Sequence, residues 1–122
     1  MRSMSPNPDS PRLASIVRHG EELLRISRDA GANGIALCGS VARGDDGDSS
    51  DIDFYVHAFC EPESPDGRDR AERLVKRFRG VLLPYEVDIR GIPGWFIDPP
   101  QEASMKLDSI DLASVIADFT SA

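Results

Sequence analysis

The sequence predicts a single domain of the α/β class, and three observations carry that reading. Short apolar or alternating runs at residues 35–38, 51–57 and 81–90 read as strands. Longer stretches near residues 11–30, 66–79 and 109–119 repeat apolar residues at helical spacing. The chain has 122 residues, enough for one modest core, and shows no internal repeat or domain boundary. The expected organisation is a flexible tail over residues 1–10 and one domain over 11–122.

Composition narrows the classes of function. The chain is 40% hydrophobic and 29% charged, ordinary proportions for a globular domain. No apolar run approaches the roughly 20 residues that a membrane span needs. The first residues are rich in Ser, Pro and Asn and lack the apolar core of a secretory signal. A cytoplasmic protein without membrane contact is therefore expected. The 14 basic and 21 acidic residues give a net charge of −7, which argues against DNA binding through bulk charge. Two cysteines do not make a disulfide scaffold, and neither has a Cys or His at metal-ligand spacing. Both Cys38 and Cys60 are expected as reduced thiols, with Cys38 as core filler.

In chain order, Ser10-Pro11 predicts a helix start, because Ser caps and Pro suits the first helical position. Leu13, Ile16, Val17, Leu24 and, less strongly, Leu23 form the apolar stripe of that helix. Gly20 weakens its middle without breaking it, and Gly31 stops it. His19 lies on this helix as a solvated or half-packed side chain. A buried strand follows at residues 35–38, then a turn at Gly39-Ser40 and a short helix at Val41-Ala42-Arg43. Residues 44–50 are polar, acidic and glycine-containing, so they read as a loop. In the next strand Ile52, Phe54 and Val56 point one way, while Asp51, Asp53, Tyr55 and His57 point the other.

The second half of the chain is less regular. Residues 60–66 hold two prolines and read as a loop. A helix capped by Asp66 or Asp69 runs to about Arg79, with Ala71, Leu74, Val75 and Phe78 inward. Arg68, Arg70, Arg73, Lys76, Arg77 and Arg79 make this helix basic, a solvated face or a surface for an acidic partner or RNA. Gly80 is expected to end it. Within the third strand Val87 and Ile89 share one face and Glu86, Asp88 and Arg90 the other, with Pro84 marking an edge or a bulge. Residues 91–101 form an irregular connection anchored by Trp95 and Phe96. A last helix spans 109–119, with Leu112, Val115, Ile116 and Phe119 as its stripe.

The candidate chemistry lies at the two ends of residues 39–53. Paired carboxylates one pleat apart suit Mg2+, which takes oxygen ligands and is often held by one or two carboxylates plus substrate phosphates. Asp51 and Asp53 supply the pair, and Asp88 on the third strand supplies a third carboxylate. Two metals so held would clamp the attacking and leaving oxygens of a displacement at phosphorus. Asp88 also fits as the base for an attacking hydroxyl. Gly39 permits close backbone approach to a phosphate, the N–H groups that open the next helix bind anions, and the Ser40 hydroxyl adds a donor. Arg43 either neutralises phosphate charge or is structural. Other readings of the acidic loop fail: from Asp46, the Gly and Glu of a calcium loop fall on Asp51 and His57. The Gly-Lys-Ser/Thr of a Walker loop is absent. Asp45, Asp46 and Asp48 are an acidic surface loop.

Gly39-Ser40, ten intervening residues and Asp51-Ile52-Asp53 resemble the signature of the polymerase-beta-type nucleotidyltransferases. The set Gly39-Ser40-Val41-Ala42-Arg43-Gly44 with Ser50-Asp51-Ile52-Asp53 is most similar to their minimal members. The resemblance covers about residues 35–56 and is extended by Val87-Asp88-Ile89. It implies a polymerase-beta-like fold, a small mixed sheet with helices packed on one side. It implies ATP or another nucleoside triphosphate as substrate, with two Mg2+ ions. In that pattern Gly39 and Ser40 hold the triphosphate, Asp51 and Asp53 bind metal, and Asp88 is the third carboxylate. Small members of the family act as antitoxins to HEPN-type ribonuclease toxins, some by transferring AMP to a tyrosine of the toxin. The expected partner is such a toxin. The alternatives are a binding module that neutralises its partner by occlusion, a transferase acting on a small molecule, and self-modification at Tyr55 or Tyr85. The segment between the second and third strands is short, and the region after Asp88 is rich in Pro and Gly where the family carries more helix.

Overall fold

The strands and helices anticipated from periodicity are present in the computed structural model, which describes residues 5–58, 65–90 and 109–120. Cys60, Trp95 and Phe96 lie outside the described residues. Four strands form one sheet: β1 (Ala32–Cys38), β2 (Ile52–Ala58), β3 (Val87–Arg90) and β4 (Ser109–Asp111). Their order is β3-β2-β1-β4. β1 pairs antiparallel with β2 and with β4, whereas β2 and β3 run parallel. The sheet is therefore mixed, as the resemblance implies.

Side chains alternate across a strand, so one register decides which residues meet the helices. Ile35 and Leu37 of β1, Ile52, Phe54 and Val56 of β2, and Val87 and Ile89 of β3 all join one buried cluster. The helices α1 (Pro11–Arg18), α2 (Gly20–Asp29), α4 (Pro65–Val81) and α5 (Leu112–Thr120) complete it through Leu13, Ile16, Leu23, Ile26, Leu74, Phe78, Leu112 and Val115. Phe54 meets Phe78 edge-on, with ring centroids 5.2 Å apart. That geometry sets the positive edge of one ring against the negative face of the other. Burying one such side chain contributes about 2–3 kcal/mol.

Several boundaries differ from the expectation. Ser10 caps α1 by accepting from the Leu13 amide at 3.2 Å, and Pro11 opens the helix, as expected. The helix then breaks at His19, and α2 restarts at Gly20. A Cβ on Gly20 would lie 2.6 Å from Cδ1 of Ile116, so this glycine is where α5 crosses closely. The break re-phases the stripe: Leu23 is fully buried, while Leu24 is only partly so. α4 runs through Gly80 to Val81, and the third strand shrinks to Val87–Arg90. Pro84 falls in the turn between them. Residues Ser109–Asp111, expected as helix, instead pair with β1 as an edge strand before α5 begins. Tyr55 shares a face with Asp53, yet it is only 5% exposed.

Candidate active site

At the end of β1 the chain turns at Gly39 with φ +71°, a left-handed conformation that costs glycine little. A Cβ at this position would also land on Oδ2 of Asp53, so two independent constraints demand glycine. The short helix α3 (Gly39–Arg43) follows, anchored by buried Val41 and Ala42. Gly44, at φ +81°, ends it and donates its amide to Ser40 O at 2.9 Å. Ser40 is partly exposed on the first turn of α3. Arg43 Nε lies 3.3 Å from Asp45 Oδ2 in an exposed ion pair, so the structure gives Arg43 a local partner.

β2 and β3 bring two of the predicted aspartates together. Asp53 stands opposite Cys38 across the antiparallel pair and opposite Asp88 across the parallel pair. Ser109 stands opposite Cys38 on the far side. One transverse row therefore runs Asp88, Asp53, Cys38, Ser109 on the face away from the core, beside the Gly39 turn. Asp51 precedes the first residue of β2 and is exposed. Asp88 Oδ2 accepts from Arg90 Nε at 3.3 Å.

Asp53 carries the electrostatic consequence. Burial first, then the negative charges of Asp88 and Asp51, push its carboxyl up from 3.8 to about 6, while Arg90 and Arg43 pull it back. A carboxylate disfavoured by its own kind is the environment that a bound cation would relieve. Among the described residues, however, no three donors already stand close enough to make a finished ligand set. Asp51 lies outside the ladder, and Asp88 is drawn to Arg90. The donors themselves, hard carboxylate oxygens on adjacent strands, fit Mg2+ completed by substrate oxygens rather than an all-protein cage.

Two side chains make contacts with this region that the sequence did not signal. Ser10, besides capping α1, donates its hydroxyl to Asp46 Oδ2 at 2.7 Å. Arg12 reaches the same loop, donating to Asp48 O at 2.7 Å and to Ser50 O at 2.8 Å. Residues 5–10, assigned to the tail, lie against the loop: Pro6 is buried, and a Cβ on Gly44 would meet Ser5 O. Farther away, Arg70, Arg73 and Arg77 of the basic helix line a groove of about 320 Å³ with Asp29 at the end of α2.

The comparisons with known proteins agree with this geometry. Residues 20–111 match the model of the nucleotidyltransferase domain family, and the chain belongs to that family. It is also similar to a solved structure provisionally described as a minimal nucleotidyltransferase, at 28% identity and a TM-score of 0.65. That similarity covers 80% of this chain and 93% of the other. No curated protein matches the chain. The resemblance read from Gly39-Ser40 and Asp51-Ile52-Asp53 thus holds at the level of family and fold. No helix among the described residues is long and apolar enough to cross a membrane.

Proposed function

We propose that the chain transfers a nucleoside monophosphate, AMP foremost, from a nucleoside triphosphate to a hydroxyl on a partner protein, with Mg2+. The observation that supports this most is the placement of Asp53 and Asp88 opposite each other on adjacent parallel strands, with Gly39 packed against Asp53. In this reading the Gly39-Ser40 turn holds the triphosphate, since the first amides of a helix lack intrahelical partners. Asp51, Asp53 and Asp88 hold Mg2+, which supplies charge neutralisation at the phosphates. The acceptor oxygen attacks the α-phosphorus, the bond to the β-phosphate oxygen breaks, and pyrophosphate leaves. Asp88 takes the acceptor's proton, and Arg43 offsets phosphate charge. The acceptor we assign is a toxin of the HEPN type, with this chain as its antitoxin. Similarity to a minimal nucleotidyltransferase favours that role.

The test uses α-labelled nucleoside triphosphates, Mg2+ and the product of the adjacent gene. Wild type should label the partner, and Asp53→Ala should not. Equal labelling by both proteins would sink the mechanism. Neutralisation that survives in the Asp51/Asp53 double variant would replace transfer with occlusion.

A further inference from the structure

Arg12 is 8% exposed, an unusual position for a guanidinium that has no ion pair with a carboxylate among the described residues. Two of its nitrogens donate to backbone carbonyls instead. Nε donates to Ser50 O at 2.8 Å and Nη2 to Asp48 O at 2.7 Å. Its Cζ also lies 4.9 Å from the centre of the Tyr85 ring. These three contacts fall on two different segments. Ser50 immediately precedes Asp51 and the start of β2. Tyr85 and Glu86 immediately precede β3, which carries Asp88. The Ile52 amide donates to Glu86 O at 2.8 Å, so the two segments meet at the point that Arg12 covers.

We propose that Arg12 is a positioning residue that locks the loop ahead of Asp51 to the turn ahead of Asp88, setting the spacing of the carboxylate row. The proposal rests on the transferase reading above for its catalytic consequence, but its structural content stands separately. Residues 44–50 have no strand or helix to fix their path. Gly44 fixes one end, and Arg12 fixes the other. Ser10 holds the middle through Asp46, whose second carboxylate oxygen, Oδ1, is buried and accepts no hydrogen bond among the described residues. The guanidinium suits the task because its planar fork can serve two carbonyls at once and still stack on a ring. A lysine ammonium is a point donor and cannot do both. Catalytic groups tolerate little displacement: a shift of about 1 Å costs about a hundredfold in rate.

The variants are Arg12→Lys, which keeps the charge, and Tyr85→Leu, which keeps apolar bulk. Both are read in the full chain by amide hydrogen exchange and by the Mg2+ dependence of transfer. Arg12→Lys should fold and melt near wild type. Exchange over residues 45–53 and 84–90 should rise about tenfold, with α2 unchanged, the sign of a local rather than global opening. The Mg2+ concentration for half-maximal transfer should rise about fivefold, with KM for the nucleotide changed less than about twofold, because the displaced groups are the carboxylates. Tyr85→Leu should move the same readouts in the same direction by less. Unchanged exchange in Arg12→Lys overturns the proposal. So does a uniform rise across the chain, or a loss of transfer with an unaltered Mg2+ dependence, since either marks a merely structural arginine. If wild type transfers nothing, the functional reading fails, and local exchange alone decides whether Arg12 locks the two segments.

Discussion

On one face of β2, Ile52, Phe54 and Val56 are sealed beneath the helices; on the other, Asp53 sits half-buried among carboxylates. One residue of register separates these environments. The inner face gains free energy from every side chain it buries. The outer face holds a group that the fold itself disfavours in its charged form, because burial and the charges of Asp88 and Asp51 oppose ionisation. The helix-covered core and the carboxylates thus lie on opposite sides of the same seven residues. A charge arrangement that weakens the free protein is what a bound cation would repair.

Substitutions on the two faces should therefore separate activity from stability. The largest effect belongs to Asp53→Asn. If Asp53 holds Mg2+ as proposed, its loss removes several kcal/mol of charge stabilisation and should lower transfer by about a thousandfold or more. Next comes Phe78→Ala, on the opposite side. It removes the edge-on partner of Phe54 and should cost about 3–5 kcal/mol in urea unfolding. The protein that remains folded should keep its Mg2+ dependence. If Phe78→Ala shifts that dependence instead, the separation of the two faces is wrong.

A smaller effect sharpens the same contrast. The folded carboxyl of Asp53 sits near 6 against an ordinary value of 3.8, so the folded state binds the extra proton between those limits. Metal-free wild type should lose stability from this group as pH rises from about 4 to about 6, by about 1–2 kcal/mol after discounting for its partial exposure. Asp53→Asn should lack that decline and melt higher than wild type at pH 7. The variant that loses transfer would then be the more stable protein, as expected where a functional site holds destabilising charge. An identical pH dependence of melting in both proteins would remove the electrostatic part of the account.

The features that sequence patterning captured are those set by local rules. Alternation over residues 51–57 and at Val87-Asp88-Ile89 placed Asp53 and Asp88 on the outer face, because a strand's period is fixed by its pleat. Ser10-Pro11 announced its cap, since a cap needs only residues three apart. Other features depend on distant partners. Ser109–Asp111 became a strand because the edge of β1 was open to it, and three residues carry too little pattern to signal that. The break at His19 falls beside Gly20, which packs against Ile116, nearly one hundred residues away in the chain. Arg12 looks like any charged residue in a helix's first turn. Only the loop folding back upon it makes two of its donors answer to Asp48 and Ser50. The sequence placed Asp51 beside Asp53, whereas Asp51 lies just outside the ladder and the neighbour in register is Asp88.

The most direct test of the central claim, that this carboxylate row serves a metal-bound nucleotide, does not require knowing the acceptor. Thermal unfolding of wild type and Asp53→Asn is followed with Mg2+ alone, ATP alone and both together. A ligand at about 100 times its Kd adds about 2.7 kcal/mol, which moves the melting temperature of a small domain by about 10 °C or more. The account predicts that wild type shows this rise with Mg2+ and ATP together, and that Asp53→Asn shows almost none. Equal shifts in the two proteins, or no shift in wild type with any nucleoside triphosphate, would contradict it.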